Sequence, residues 1–435
     1  MPEPDTPLVE RPWEAVERMV TVDRALGRVL AAVHPLPGVE TPILDALGYV
    51  ASRGIVAATP VPPFRNSAMD GYAVRAADTA EASSTHPTML RLTGSAAAGS
   101  AIAQRVEAGT AVRIMTGASM PDGADAVVRF EETDEVAYGP NRADRIDRGE
   151  IGIVHAARPG DNVREAGEDV ASGDLVLAAG QRIRPAEIGL LAALNRATAE
   201  IHRPPVVAIL STGDEIVGAG PALLPGQIRD VNSPMLAAMV KRAGGVPVML
   251  GVARDVVADL SEKLVAARGA DLIVSTGGVS LGDYDVVKDV LRASGEIAIW
   301  QVRMKPGKPF AWGLLDGVPF LGLPGNPVAA VVSFEQFGLP AIRRMLGRSD
   351  LATPEIDAVL TERVDNRGQR RHFVRARVEG SISAGFTVRP AGDQGAGVIS
   401  SLARANGLLV VPETLDVAEP GMTLRVQMVD WLGAL

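Results

Sequence analysis

From residue 204 to residue 347, apolar runs alternate with longer helix-periodic stretches, and this alternation constrains the fold more than any other feature of the chain. PPVVAILSTGDE, PVMLGVARD, ADLIVSTGG, IAIWQVRM and VPFLGLPGNP read as strands. NSPMLAAMVKRAGG, VADLSEKLVAARG, DYDVVKDVLRASG and VAAVVSFEQFGLPAIRRMLG read as helices. A continuous run of Val, Ile and Leu suits a strand buried on both faces. Helices between such strands are the crossovers that parallel pairing requires. The expectation is a mostly parallel α/β sheet whose binding site lies at the carboxyl ends of its strands. In NSPMLAAMVKRAGG, Asn232 or Ser233 is expected to cap, Pro234 to sit in the first turn and Gly244 to stop the helix.

The flanks follow other patterns. A helical period runs through residues 12–33, and a second short helix is expected over Ile43–Ser52. TPVPPFRNSAMDGYAVRA begins as extended chain, because its prolines remove backbone donors and forbid helix. Residues 88–165 break into short strands between Gly, Pro and Asp turns, and PAEIGLLAALN (185–195) returns to helix. After Gly347 five more strand-like runs follow. The expected fold class is multidomain α/β plus β. Its parts are an N-terminal helical and extended linker domain (1–75 with 166–200), a small β insert domain (76–165), a central α/β domain (201–348) and a C-terminal β domain (349–435).

Composition narrows the chemistry. At 435 residues the chain exceeds a single core. A net charge of −9 argues against a general nucleic-acid binder. With no cysteine, disulfides, zinc–thiolate sites, iron–sulfur clusters and a cysteine nucleophile are excluded. The acidic, proline-rich start lacks the regions of a signal peptide, and no apolar run approaches the ~18 residues of a membrane span. A soluble cytoplasmic protein is expected. The five histidines form no pair at ligand spacing, so a bound metal would rest on carboxylates, which favours magnesium.

Several stretches could carry function, and each has a plainer reading beside it. In STGDE, Thr212 and the Gly213 amide could hold an anion while Asp214 and Glu215 hold a cation; a simple Gly-Asp turn is the alternative. In STGGVSLGDYD, Thr276, Gly277, Gly278 and Ser280 suit a phosphate, yet Asp283 and Asp285 would repel it unless a metal lies between. In MKPGKPFAWG, prolines stiffen a loop that presents Lys305 and Lys308 to an oxyanion, or simply to solvent. In GLPGNPVAA, Pro324, Gly325, Asn326 and Pro327 open a helix whose start would face the same sheet edge. NSAMDGYA and REAGEDV expose Asp70 and Asp169 in turns that spacing alone does not distinguish from solvated loops.

Taken together and in order, PPFRNSAMDGYAV, IMTGASMPDGADAVV, REAGEDV, STGDEI, GQIRDVNSPML, STGGVSLGDYD, MKPGKPFAWG, GLPGNPVAA and SSLARANGLLVVPE closely resemble the molybdopterin molybdenumtransferase family, MoeA and the gephyrin E domain, from about residue 12 onward. The resemblance implies a MogA/MoaB-like central domain and a C-terminal β-barrel-like domain. It implies an elongated homodimer with the active cleft between one subunit's α/β domain and parts of its partner. It further implies magnesium-promoted cleavage of adenylylated molybdopterin, transfer of molybdenum from molybdate to the dithiolene, and release of AMP. Other cofactor-biosynthesis proteins and molybdoenzyme acceptors would be its partners.

Carried over by position, the acidic set is Asp70, Asp169, Glu215, Asp255 and Asp285, with Glu215 and Asp285 on magnesium and Asp283 a rival to Asp285. Lys305, Lys308, Arg375 and Ser400 or Ser401 would face molybdate, and Thr116 lies in the MTGA stretch. Ala329 departs from the serine that many relatives carry there. A molybdopterin adenylyltransferase and a non-catalytic pterin-binding scaffold are the alternative functions.

Overall fold

The computed structural model describes residues 19–99, 104–137, 149–254, 256–278 and 295–429. The chain divides into two compact units, one of residues 1–41, 48–52 and 200–435, the other of 42–47 and 53–199.

In the first unit six strands form one sheet: β1 (Val206–Thr212), β2 (Val246–Ala253), β3 (Leu272–Thr276), β4 (Gly295–Gln301), β5 (Pro309–Leu315) and β6 (Val318–Leu323). Their spatial order is β2-β1-β3-β6-β5-β4. β2, β1, β3 and β6 run parallel, and β5 alone runs against them, pairing antiparallel with β6 on one side and β4 on the other. β1 shows why the apolar run is continuous. Val207 and Ile209 pack with Leu236 and Val240 on one face, and Ala208 and Leu210 with Leu260 and Leu264 on the other.

The β5–β6 hairpin falls within what reads in sequence as a loop followed by a single strand. Asp316 (φ 48°) and Gly317 (φ 80°) make its two-residue turn, as an Asp-Gly pair favours. The helix expected over 328–347 runs from Pro327 to Met345 but widens to π geometry at Phe334–Gly338. Pro340 removes one amide and crowds the carbonyl four residues earlier, which a wider turn relieves.

The helix Asn232–Ala243 ends as expected on left-handed Gly244 (φ 94°). Its start differs, since neither Asn232 nor Ser233 caps it. Val231 holds the cap position without a side-chain bond, and Asp230 just before it accepts the Ser233 amide on Oδ1 at 3.1 Å. The helix read over 12–33 is described from Val22 to Ala31, with Thr21 Oγ1 accepting the Arg24 amide at 3.3 Å. The helix expected over Ile43–Ser52 does not form. Residues 43–48 turn on the Pro42 carbonyl, which accepts the amides of Asp45 and Ala46, and Gly48 sits at φ 85°. The expected helix DYDVVKDVLRASG lies outside the described residues.

Five strands follow the sheet: β7 (Glu355–Leu360), β8 (Arg371–Ser381), β9 (Gly385–Pro390), β10 (Gly407–Val411) and β11 (Thr423–Gln427). The order β8-β9-β7-β11-β10 closes through a β8–β10 pairing into a five-stranded barrel. Val374, Ala376, Val388, Leu409 and Val426 share its core. The strand Met304–Lys305 adds in parallel to the start of β8, setting Lys305 beside His372.

In the second unit a five-stranded sheet runs in the order Ala126–Arg129, Gly71–Val74, Thr110–Ile114, Thr88–Ala96, Glu150–Ile153. The sheet therefore takes in Gly71–Val74, upstream of the β insert boundary expected at 76. The helix Pro185–Ala193 begins on its proline and closes a capping box between Arg184 and Glu187.

Candidate active site

β1 connects to β2 on one side of itself, and the chain then crosses to β3 on the other. The carboxyl ends of β1 and β3 thus frame the crevice where open α/β sheets bind ligands. STGDE and STGG both emerge there. Thr212 donates its hydroxyl to the Thr276 carbonyl at 3.4 Å. The Gly277 amide donates to Leu323 O at 3.1 Å, bringing in the end of β6 and with it Pro324 and Gly325.

Asn232 ties the three loops together. Its Nδ2 donates to Gly325 O at 2.8 Å and to Thr276 Oγ1 at 3.3 Å. Asn232 is 7% exposed, and its Oδ1 has no partner. Beneath it, Ser211 Oγ lies 2.7 Å from Ser233 Oγ and 3.0 Å from Asp230 Oδ1. Asn232, Ser211 and Asp230 were not singled out as site residues from sequence. The signal was available in GQIRDVNSPML, where polar residues precede a helix that follows a strand-end turn.

The backbone corrects one expectation. The Gly213 amide donates to Ala253 O at 3.1 Å, so neither it nor the Gly277 amide is free for an anion. The Thr212 and Thr276 hydroxyls are buried and face inward, and knit the loops rather than meet solvent. Gly277 is required for a steric reason. At φ 85°, a Cβ there would stand 2.6 Å from Thr212 O and 2.8 Å from its Oγ1. Gly277→Ala is expected to lower stability by roughly 2–3 kcal/mol; a thermal unfolding midpoint equal to wild type would contradict this.

Glu215 and Asp214 are exposed at the end of β1. Among the described residues no three carboxylate or histidine side chains converge as a metal site. Asp255, Ser280, Asp283 and Asp285 lie outside the described residues. Gly278 is described, at φ 65°.

Basic residues approach through the barrel. Val328, in the first turn of the helix that Asn326 and Pro327 open, donates its amide to Ala396 O at 3.0 Å. Asn326 occupies the cap position, but its side chain makes no capping hydrogen bond. The loop around Ala396 is fastened by Arg375, whose Nη2 donates to Asp393 O at 3.1 Å and Gly395 O at 3.0 Å. Arg375 Nε donates to Ser401 Oγ at 3.1 Å. Burial pulls the Arg375 guanidinium down to about 10, with Asp393 opposing. Only Nη1 lacks a partner. Ser401 is buried, whereas Ser400 is exposed and accepts from Arg404 at 2.8 Å, so Ser401 is the serine held by Arg375. Lys305 and Lys308 are half-buried on their loop. Ala329 is 3% exposed, a wall residue of the core.

Comparison with known proteins agrees with this arrangement. Three family models match in succession: the MoeA N-terminal region (domain I and II) over residues 20–195, the probable molybdopterin binding domain over 208–344, and the MoeA C-terminal region (domain IV) over 357–429. Molybdopterin molybdenumtransferase 2 of Mycobacterium tuberculosis is 40% identical over 93% of this chain and 97% of its own. The chain belongs to the molybdopterin molybdenumtransferase family. The Haemophilus influenzae member is 34% identical over 94% of this chain and 98% of its own. A crystal structure of a Pyrococcus MoeA protein matches with a TM-score of 0.81 and 33% identity, over 94% of this chain and 99% of that one.

In the second unit of this MoeA-family chain, Asp70 and Thr116 come together. Asp70 Oδ1 accepts the Thr116 amide at 2.7 Å and its hydroxyl at 2.8 Å. Those two bonds, the amide's first, hold the Asp70 carboxyl below the usual range. Asp169 is exposed on a separate loop, reached through the antiparallel pairing of Asn66–Ser67 with Val163–Arg164. No helix of the described residues is long and apolar enough to cross a membrane.

Proposed function

We propose that this protein transfers molybdenum from molybdate to adenylylated molybdopterin and releases AMP. One observation carries the reading. A continuous set of contacts joins the crevice at β1 and β3, through Asn232, Gly325 and Val328, to the loop held by Arg375, and Lys305 lies beside β8 next to His372. An anionic nucleotide chain would lie along the crevice, and molybdate would meet the half-buried ammonium groups of Lys305 and Lys308, while the enclosed Arg375 would hold the loop at 393–395.

Water or a molybdate oxygen would attack the phosphoanhydride. The new oxygen–phosphorus bond would form as the P–O bond to the bridging oxygen breaks, freeing AMP, and the two dithiolene sulfurs would replace a molybdate oxygen that departs as water with the two thiol protons. No protein nucleophile is needed. The exposed Glu215 carboxylate makes no side-chain hydrogen bond or ion pair among the described residues, so it fits a hard cation. Magnesium would rest on it together with Asp285, with Asp283 the rival. When bound, the ion would neutralise the phosphate oxygens. The four-part division, the homodimer, the cytoplasmic location and the partner proteins belong to this same proposal.

The test is AMP release from adenylylated molybdopterin with magnesium, with and without molybdate. Molybdate-dependent release is expected. Lys305→Ala and Lys308→Ala should each raise the half-saturating molybdate concentration about tenfold, the ~1.4 kcal/mol of one charge-assisted contact. ATP consumption without molybdate would point instead to an adenylyltransferase. Binding without release would point to a scaffold.

A further inference from the structure

The first unit holds a cavity of about 290 Å³ that the reaction outlined above does not use. The helix Asn232–Ala243 lends it Met239, the helix that opens at Pro327 lends Val331, the short helix Ile399–Arg404 lends Leu402, and β10 lends Leu408. Val429, two residues past the end of β11, completes the apolar lining. Met239, Leu402 and Val429 pack only partly buried against the core cluster that contains Leu408. The recess is thus an extension of the core that the described residues leave uncovered, at the place where two helices of the sheet meet the barrel.

The charges that line it satisfy each other. Arg242 Nη2 lies 3.3 Å from Glu335 Oε2, and Thr353 Oγ1 donates to Glu335 Oε1 at 2.5 Å. A charged ligand would meet no surplus of either sign among these residues, so the recess selects an apolar occupant. The chain itself supplies one. Arg242 Nη1 donates to Val429 O at 2.9 Å and so holds the backbone at the rim. Residues 430–435, DWLGAL, follow. In an extended chain residues i and i+2 share a side, so a continuation from Val429 would bring residue 431 to the side that faces the recess. Two residues span only about 7 Å, which keeps residue 431 within side-chain reach.

We infer that the indole of Trp431 fills this recess and clasps the barrel to the helices of the sheet. Tryptophan suits it on two counts. Its broad ring covers Met239, Val331 and Leu402, and its single N–H needs an acceptor when buried. Glu335 Oε2 is that acceptor, since Arg242 is its one donor among the described residues. The Arg242 guanidinium, half-exposed at the rim, adds a cation–π contact to the ring face. The clasp joins the helix whose first residue is Asn232, the helix opened by Asn326 and Pro327, and β10. Trp431 is therefore a positioning residue for the barrel, and this role does not depend on which reaction the crevice carries out.

The experiment uses the full chain and reads Trp431 by its own fluorescence, as the difference between wild type and Trp431→Phe. The emission should lie at shorter wavelength than that of tryptophan in water. Acrylamide should quench it about tenfold less than N-acetyltryptophanamide, as expected when the open form is a minor state of about 10%. Ala403→Phe blocks the recess at its exposed rim. With an unchanged circular dichroism spectrum as the check on folding, that variant should release the indole and bring its quenching to within about twofold of the free compound, read against the same variant carrying Trp431→Phe. Emission and quenching equal to free tryptophan in the wild type would overturn the clasp. So would a Trp431 signal that Ala403→Phe leaves unchanged. Protection that disappears on dilution would seat the indole in a second copy of the chain, and overturns the clasp as well.

Discussion

Replacing Arg375 by alanine will lower the unfolding free energy by about 3–5 kcal/mol, the scale of removing a large buried side chain together with its charged hydrogen bonds. Arg375 has no solvent exposure, and its hydrogen bonds reach Ser401 Oγ and the carbonyls of Asp393 and Gly395. Alanine would remove the guanidinium's bonds to all three, leaving Asp393 O without a protein donor while Gly395 O keeps the Val398 amide and Ser401 Oγ keeps Val398 O, and would open a void beside Leu408, its neighbour on β10. Lysine is not a rescue. Its single ammonium cannot serve three acceptors set in the planar fork of a guanidinium, so Arg375→Lys should recover less than half of the loss. Equilibrium urea unfolding of the three proteins checks this. A result for alanine within about 1 kcal/mol of wild type would show that the loop 393–397 holds itself. Because Ala396 O accepts the Val328 amide, the same substitution should also loosen the helix start at Asn326–Pro327.

How much of this was legible in the sequence depends on whether a residue's partner is near in the chain. β1, β3 and β6 are readable because runs such as VVAIL bury both faces, a property of the segment itself, while β2 is an edge strand with Val246, Val248 and Met249 exposed and is readable from its apolar run alone. The five barrel strands were readable from alternation and turns. β5 is hidden in the sequence because FAWGLL stands directly after the basic loop, although the Asp316-Gly317 pair is a hairpin signal. Ile43–Ser52 has a helical apolar period, yet Leu44 and Leu47 are 75% and 50% exposed, so no packed face supports a helix there.

The site divides in the same way. Thr212, Gly277 and Asn326 were legible as strand-end positions. What their atoms do was not, because the Gly213 amide is satisfied by Ala253 and the Thr212 hydroxyl by Thr276, partners 40 or more residues distant in sequence. Arg375 looked like an oxyanion ligand from its position in the family motif. Its burial turns most of its donors inward, and that depends on how β8 meets the loop after β9.

Acid will destabilise this protein through His372 in a way a single substitution removes. His372 is 3% exposed, and neither ring nitrogen has a partner. Burial first, then the charges of Lys305, Arg375 and Arg370, push the imidazole from 6.5 down to about 3. In the unfolded chain the ring protonates near its ordinary value, so between pH 6.5 and about 3 the unfolded state binds more protons than the folded state. Stability therefore rises with pH across that window. The contribution is complete above pH 6.5 and is lost as pH falls, by up to about 1.4 kcal/mol per pH unit from this group alone. His372→Leu removes the titrating ring and two unsatisfied nitrogens, and a buried apolar side chain of similar size is close to neutral or stabilising there. The variant should match or exceed wild-type stability at pH 7 and show a shallower decline from pH 6.5 to 4.5, measured by urea unfolding at half-unit steps. Equal slopes in the two proteins would mean that His372 protonates in the folded state at its ordinary value, and that the pocket beside Lys305 admits water.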